Sequence, residues 1–391
     1  MAARPLKQFL NEDEDRNSTT SLSKPPHSLS VLSVSSVVKK IKRHCGKLKV
    51  KIMNTLLLEA LQCRNTSRPP IWLMRQAGRY MASYRALRAK YSFLEMCHNP
   101  DLISKVTMLP VEQFDMDAAI LFSDILVIVE AMGRGLRFEE NVGPIIERPI
   151  VRLDDIDAIG PPDLSKLRYV EEGIRQLQPQ LKVPLIGFCG APFTVASYMI
   201  EGKTSRELKK TKQWMLSHPK EFHRLLRKIA DWSIPYLDMQ VKAGVQVLQI
   251  FDSWANTLAH KQFREFSLYY LDYMLKGLSN HSTPVIVFCR GSSVFARDLA
   301  EIKPAAISLD WNCNLGSMRQ VVPSSIALQG NLDPSILLAP PQAIRDETNR
   351  LLDIMKQDQG YIFNLGHGIT PDVPEDAVKT LVECVKCHGV C

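Results

Sequence analysis

VQVLQIFDS, residues 245–253, is apolar apart from two glutamines until Asp252 and Ser253 close it. It has no polar face, so it reads as a strand buried on both sides, which is how strands of a parallel sheet look in sequence. PVIVFCRG (284–291) repeats the pattern downstream and PLIGFCGAP (184–192) repeats it upstream. Further out lie PIWLMRQ (70–76), AAILFSD (118–124), AAISLDW (305–311), IALQGNL (326–332) and YIFNLGHG (361–368).

Helical patterns separate these runs, at 95–114, 165–181, 219–243, 259–279, 294–301, 314–321 and 340–357. Strands alternating with helices imply parallel βα units. Eight such units imply a closed (β/α)8 barrel, an α/β fold, rather than an open doubly wound sheet. Residues 132–152 read as a hairpin inserted after the second strand. The whole of 53–391 is thus expected to form one barrel domain.

The net charge of +8 is unevenly held. Residues 1–52 carry 11 of the 49 basic and 4 of the 41 acidic residues, a balance of +7, which leaves +1 for the rest. The body therefore has no general nucleic-acid footprint. The leading segment is Ser-rich and then basic, without a core pattern, and is expected to be a disordered extension. Organelle targeting is the minority reading, because EDED at 12–15 is out of place in a transit peptide. Met53 is a candidate alternative start. No apolar run approaches the 18 or so residues of a membrane span, so a soluble protein that does not enter membranes is expected.

Nine cysteines occur, with CVKCHGVC (384–391) the one dense cluster. C-x-x-C-H is the pattern of c-type haem attachment, and Cys/His density suggests zinc. Four ligands within eight residues are cramped for a tetrahedral site, so these are read as cysteines at the end of a terminal helix. There is no H-E-x-x-H, P-loop, EF-hand or G-x-S-x-G motif, and no metal or organic cofactor is expected.

Chemistry in a barrel gathers where strands end. The strand ends here supply Arg75, Arg79, Asp124, Asp252, Ser253, Arg290, Asp310, Asn331 and His367. Asp310 and Arg290 are read as structural. In IWLMRQAGRYMASYRALRAKY (71–91), Arg75, Arg79, Arg85 and Arg88 have no acidic neighbour within the stretch. Guanidinium forks bind carboxylates bidentately, so the mouth suits a polyanion. His367 between two glycines suggests a close backbone approach to a ligand.

MRQAGRY (74–80), FSDILV (122–127), PLIGFCGAPFTVASYMIEG (184–202), QGNLDP (329–334) and NLGHGI (364–369) together resemble the uroporphyrinogen decarboxylase family, over about residues 54–385. The resemblance implies a (β/α)8 barrel that removes the four acetate carboxyls of uroporphyrinogen III without a cofactor, as a cytoplasmic homodimer in tetrapyrrole biosynthesis. It implies substrate binding by Arg75, Gln76, Ala77, Gly78, Arg79, Arg88, Asp124, Tyr198, Ser253 and His367, with Asp124, Arg75 and Tyr198 in catalysis. Met81-Ala82-Ser83 and Asn256 depart from the family's usual pattern, both at loop positions. The proton donor is left open among Arg75 with bound water, Tyr198 and Asp124.

Eight carboxylates on the substrate explain the arginines. Loss of CO2 from a pyrrole acetate needs an electron sink, which protonation of a pyrrole carbon provides, and a central carboxylate would favour the resulting cation. Two rivals exist. A cobalamin-linked methyltransferase of the same superfamily would need a zinc-binding His-x-Cys pair, but Val287 precedes Cys289. A non-catalytic binder of anionic tetrapyrroles has no need of Asp124.

Overall fold

In the computed structural model, which describes residues 53–139 and 142–388, the apolar runs pair side by side in parallel. The strands are β1 (Ala119–Ile120), β2 (Leu136–Glu139), β3 (Gly143–Ile146), β4 (Leu185–Gly190), β5 (Val247–Asp252), β6 (Val285–Cys289), β7 (Ala306–Ser308), β8 (Ala327–Leu332) and β9 (Tyr361–Leu365). The main sheet runs β1-β4-β5-β6-β7-β8-β9, with helices on its outer side. β2 and β3 form a separate antiparallel hairpin, the insertion expected over 132–152.

The gap between β9 and β1 is filled by Pro70, Ile71 and Trp72. Phe363 N donates to the Pro70 carbonyl at 2.9 Å, and Asp117 N donates to the Ile71 carbonyl at 2.9 Å. The expected strand over 70–76 is therefore reduced to one bridge, Ile71 to Phe363. The cause is local. Pro69 and Pro70 have no N–H to give a ladder, while Leu73 N and Met74 N go to the side chains of Gln76 and Asn364.

Closure is nonetheless eightfold. Trp72, Ala118, Ile186, Val247, Ile286, Ala306, Ala327 and Ile362, one from each strand position, form a single buried cluster. The helix Leu56–Leu61 joins that cluster through Leu57, Ala60 and Leu61 and plugs the end where the strands begin. Buried polar side chains lie next to this ring: Trp72 Nε1 donates to Gln329 Oε1 at 3.0 Å, and Gln329 Nε2 donates to Ser308 Oγ at 2.9 Å and Gln249 Oε1 at 3.3 Å. Gln249, one of the two glutamines in the run at 245–253, is thus a satisfied core group.

Several helix readings need correction. Ala82–Arg88 and Lys209–Ser217 lie in no expected range, and the first makes Ala82 and Ser83 helical rather than loop positions. The run expected at 95–114 is two helices, Phe93–His98 and Pro100–Phe114, because the residue before Pro100 is pushed out of the helical region. Asn99 sits there with extended backbone and caps the second helix through Asp101 N at 2.9 Å. The run at 259–279 contains a π-helical segment, Arg264–Leu268. A helix at Pro192–Glu201 went unread; apart from Tyr198 and Glu201 its residues are buried, so it shows little of the amphipathic period that marks a surface helix.

The terminal helix Glu375–Cys387 carries Cys384 and Cys387 as expected. Cys384 Sγ lies 3.2 Å from Asn349 Oδ1 and His388 Nε2 lies 3.1 Å from Asp353 Oδ1, both on the helix Pro341–Ile354. Cys391 and the extension over 1–52 lie outside the described residues. Among the described residues no helix is long and apolar enough to cross a membrane.

Candidate active site

The turn after Trp72 is fixed by Gln76, whose side chain is fully buried. Its Oε1 accepts from Leu73 N at 3.1 Å and its Nε2 donates to the Ala118 carbonyl at 3.1 Å. Tyr80 then donates its hydroxyl to the Gln76 carbonyl at 2.6 Å. Both ends of the Gln76 side chain are therefore committed to the protein, and it supports the turn from within. Its neighbour Arg75 takes φ +62°, a left-handed conformation that costs energy for a side chain of this size. Among the described residues, the N–H groups of Ala77, Gly78 and Arg79 have no intramolecular acceptor. They remain free as donors beside an exposed guanidinium.

Asp124 follows β1 in FSDILV. Its Oδ1 accepts from Leu126 N at 2.8 Å, just before the short helix Val127–Ala131. Among the described residues it makes no ion pair. Burial raises its pKa, opposed by the Leu126 hydrogen bond and by the positive charge of Arg75. The residue is part-exposed, and its carboxylate, shielded enough for burial to raise its pKa, is held through one oxygen.

Tyr198 is on the helix Pro192–Glu201, which β4 delivers to the mouth through Ala191. Its ring meets Trp254 edge to face at 6.1 Å. Burial raises the phenol pKa, with Asp124 adding to the rise and Arg75 opposing it. Trp254 is itself positioned: its main-chain N–H donates to Thr194 Oγ1 at 3.1 Å, and Thr194 Oγ1 donates to the buried Asp252 at 2.6 Å. Asp252 also takes the hydroxyl of Ser267 at 2.5 Å, so this strand-end carboxylate belongs to the scaffold. Ser253, between Asp252 and Trp254, is part-exposed.

His367 ends the β9 segment, with Phe288 and Trp311 edge-on at 6.0 and 6.4 Å. Burial pushes its pKa down to about 4, and Arg75 and Arg290 push the same way. It is neutral at pH 7. The glycines around it approach protein atoms: a Cβ on Gly366 would stand 2.4 Å from Trp311 N, and one on Gly368 would stand 2.3 Å from Arg75 Cδ.

The positive charge of Arg75 thus acts on Asp124, Tyr198 and His367 alike. Arg79 and Arg88 lie to one side, both opposing the burial that pushes the Tyr84 phenol up to about 12. Arg88 and Asp124 both act on the buried Cys97 thiol, which links that side to the centre. Arg88 comes from the last turn of the helix Ala82–Arg88 and donates to the Tyr91 carbonyl at 2.6 Å.

Among the described residues none of Arg75, Arg79, Arg88 and Arg290 forms an ion pair. Arg290, read as structural, has no ion pair among the described residues, and its charge helps lower the His367 pKa. Asp310 does serve the scaffold, accepting from Gly291 N and Asn312 N. Of these four cations without ion pairs, Arg75 acts on Asp124, Tyr198 and His367, Arg290 acts on His367, and Arg79 and Arg88 act on Tyr84. A surface hollow of about 670 Å³, lined by Arg264, Tyr269, Asp272, Lys276 and Glu301, holds none of these residues.

Comparison with known proteins shows the family of this barrel. The family model described as Uroporphyrinogen decarboxylase (URO-D) matches residues 53–388. A protein of Protochlamydia amoebophila named uroporphyrinogen decarboxylase is 68% identical over 334 residues, covering 85% of this chain and 92% of the relative. One of the same name from Neisseria meningitidis serogroup C is 44% identical over 341 residues, covering 85% of this chain and 96% of the relative. Among solved structures, a methyltransferase from Methanosarcina mazei has a TM-score of 0.73 at 21% identity, covering 85% of this chain and 97% of that one. That last likeness is one of fold.

Proposed function

We propose how the mouth of this barrel works from one premise: the chain belongs to the uroporphyrinogen decarboxylase family and is a carboxy-lyase. The substrate is a tetrapyrrole polycarboxylate. On this reading Arg75, Arg79, Arg88 and Arg290 take its carboxylates, aided by the free N–H groups of Ala77, Gly78 and Arg79. Neutral His367 and the Tyr198 hydroxyl offer hydrogen bonds, and Ser253 lies at the same rim. A phenol whose pKa is raised holds its proton tightly, so Tyr198 serves better as a hydrogen-bond donor than as an acid.

The reaction replaces each acetate CH2–CO2⁻ by CH3 and releases CO2, with one proton taken up. A proton added to a pyrrole carbon makes the ring a cationic acceptor. The C–CO2⁻ bond then breaks, its electron pair moves into the ring, and a second proton completes the methyl group. The proton first added to the ring carbon leaves to restore the pyrrole, so one proton is taken up overall. Asp124 supplies the negative charge that favours the cation. Its shielded position, with no ion pair among the described residues to quench it, is the observation that carries this assignment, because a fixed charge stabilises best where it is preorganised.

The methyltransferase rival keeps only the fold, since buried Val287 stands where that chemistry needs His. The family resemblance also supports a cytoplasmic homodimer, which light scattering on the purified protein tests for assembly. Anaerobic incubation with uroporphyrinogen III, followed by chromatography of the oxidised porphyrins, tests the reaction. Products with seven down to four carboxylates are expected. Unchanged eight-carboxylate porphyrin would overturn the reading.

A further inference from the structure

We propose that Gly368 is a positioning residue for decarboxylation, the wall against which the side chain of Arg75 is set. The proposal rests on the role given to Arg75 above. A Cβ on Gly368 would stand 2.3 Å from Cδ, 2.8 Å from Cγ and 2.9 Å from Nε of Arg75. Atoms in a packed interior do not approach so closely, so alanine at 368 and the observed course of Arg75 exclude each other.

Two further facts make the relation specific. The three nearest atoms all belong to the Arg75 side chain, and none is main chain. Gly368 is also not among the glycines with positive φ, so its backbone accepts alanine. Gly366 differs, because a Cβ there would meet the main-chain atoms of Trp311 and Asp310 at 2.4 and 2.9 Å. Glycine at 366 therefore serves the packing of the barrel end, while glycine at 368 leaves room for one side chain.

The same segment holds the base of Arg75. Ile369 N donates to the Met74 carbonyl at 3.0 Å, and Met74 N donates to Asn364 Oδ1 at 2.9 Å. Residues 364–369 thus fix both the main chain before Arg75 and the path of its side chain. With no ion pair to hold the guanidinium, this wall does the orienting, and catalysis depends on groups pre-set in a productive geometry.

The test is a double-mutant cycle of Gly368→Ala and Arg75→Ala, with Gly366→Ala as a contrast. Melting temperature, kcat/KM on uroporphyrinogen III and the imidazole titration of His367 by NMR are measured. Gly368→Ala is expected to melt like the parent and lose about ten- to a hundredfold in kcat/KM, the effect of one charge-assisted hydrogen bond. The double variant should fall no lower than Arg75→Ala alone, and Gly366→Ala should lose melting temperature instead.

His367 should titrate higher in Gly368→Ala, because the displaced cation no longer disfavours its protonation. Full activity in Gly368→Ala, an unmoved His367 titration, or losses that multiply in the double variant would each overturn the proposal. If Gly368→Ala does not fold, the added Arg75→Ala must restore folding, and failure to do so overturns it equally. If Arg75→Ala alone keeps full kcat/KM, the site reading falls, while the His367 titration still decides the positioning claim.

Discussion

Asp124 is the residue where charge and shape separate most cleanly. Asn keeps an acceptor for Leu126 N, so the local turn should survive Asp124→Asn, but the negative charge is lost. Turnover should fall by roughly 10²–10³, the effect of removing one preorganised electrostatic partner. A purely capping role would instead cost about 1 kcal/mol of stability and leave chemistry near normal. Melting temperature and single-turnover rate on the same protein decide between them. His367 gives a second test. The unfolded imidazole binds a proton near 6.5 and the folded one near 4, so acid favours the unfolded chain. This contribution to stability is complete above pH 6.5 and is lost as pH falls towards 4. His367→Gln should therefore lose less melting temperature between pH 7 and pH 4.5 than the parent, and equal losses would refute the neutral state. Arg75, Asp124 and His367 were legible because each stands where an apolar run stops. That Arg290 has no carboxylate partner among the described residues was not legible, since sequence does not reveal whether an arginine finds one. Gln76 was visible as part of a motif, but its inward direction depends on the Ala118 carbonyl, 42 residues away.

At the scale of elements, the weakest joint is the bridge at Ile71, and Asp117 holds it. The carboxylate, almost wholly buried, accepts from both terminal nitrogens of Arg68 at 2.6 and 2.8 Å, from Ile71 N at 2.9 Å and from Asn54 Nδ2 at 2.8 Å. Breaking a buried pair by removing one partner costs roughly 3–5 kcal/mol. Asp117→Ala should show that loss in chemical denaturation, and a loss below about 1 kcal/mol would mean that the β9 bonds alone close the barrel. Strands were read well because a doubly buried strand has a short apolar signature with sharp ends. Helices were read well when amphipathic, as with Pro219–Ala243, which matches the expected 219–243. Pro192–Glu201 carries Tyr198 and was missed as a helix because a helix buried on most sides shows little polar stripe. Asn99-Pro100 was a legible stop inside 95–114 that periodicity overrode.

For the whole molecule, the eight runs were enough to imply closure, and the ring from Trp72 to Ile362 bears that out. How the ring closes was not legible, because it depends on side chains replacing a ladder. Residues 1–52 lie outside both the described residues and the family match, which begins at 53. We propose that they have no catalytic part: a chain starting at Met53 should keep its melting temperature and turnover, and loss of either would show that the extension contributes. The seam between Ile71 and Phe363 has a consequence for biosynthesis. Its two sides are the first and last segments of the barrel, and Met74 N reaches its acceptor 290 residues further on. A ribosome releases Arg75 early, but the wall and the anchor for it emerge only with residues 364–369. The nascent chain should therefore be inert until translation is nearly complete, and a stop codon before β9 should leave no partial enzyme.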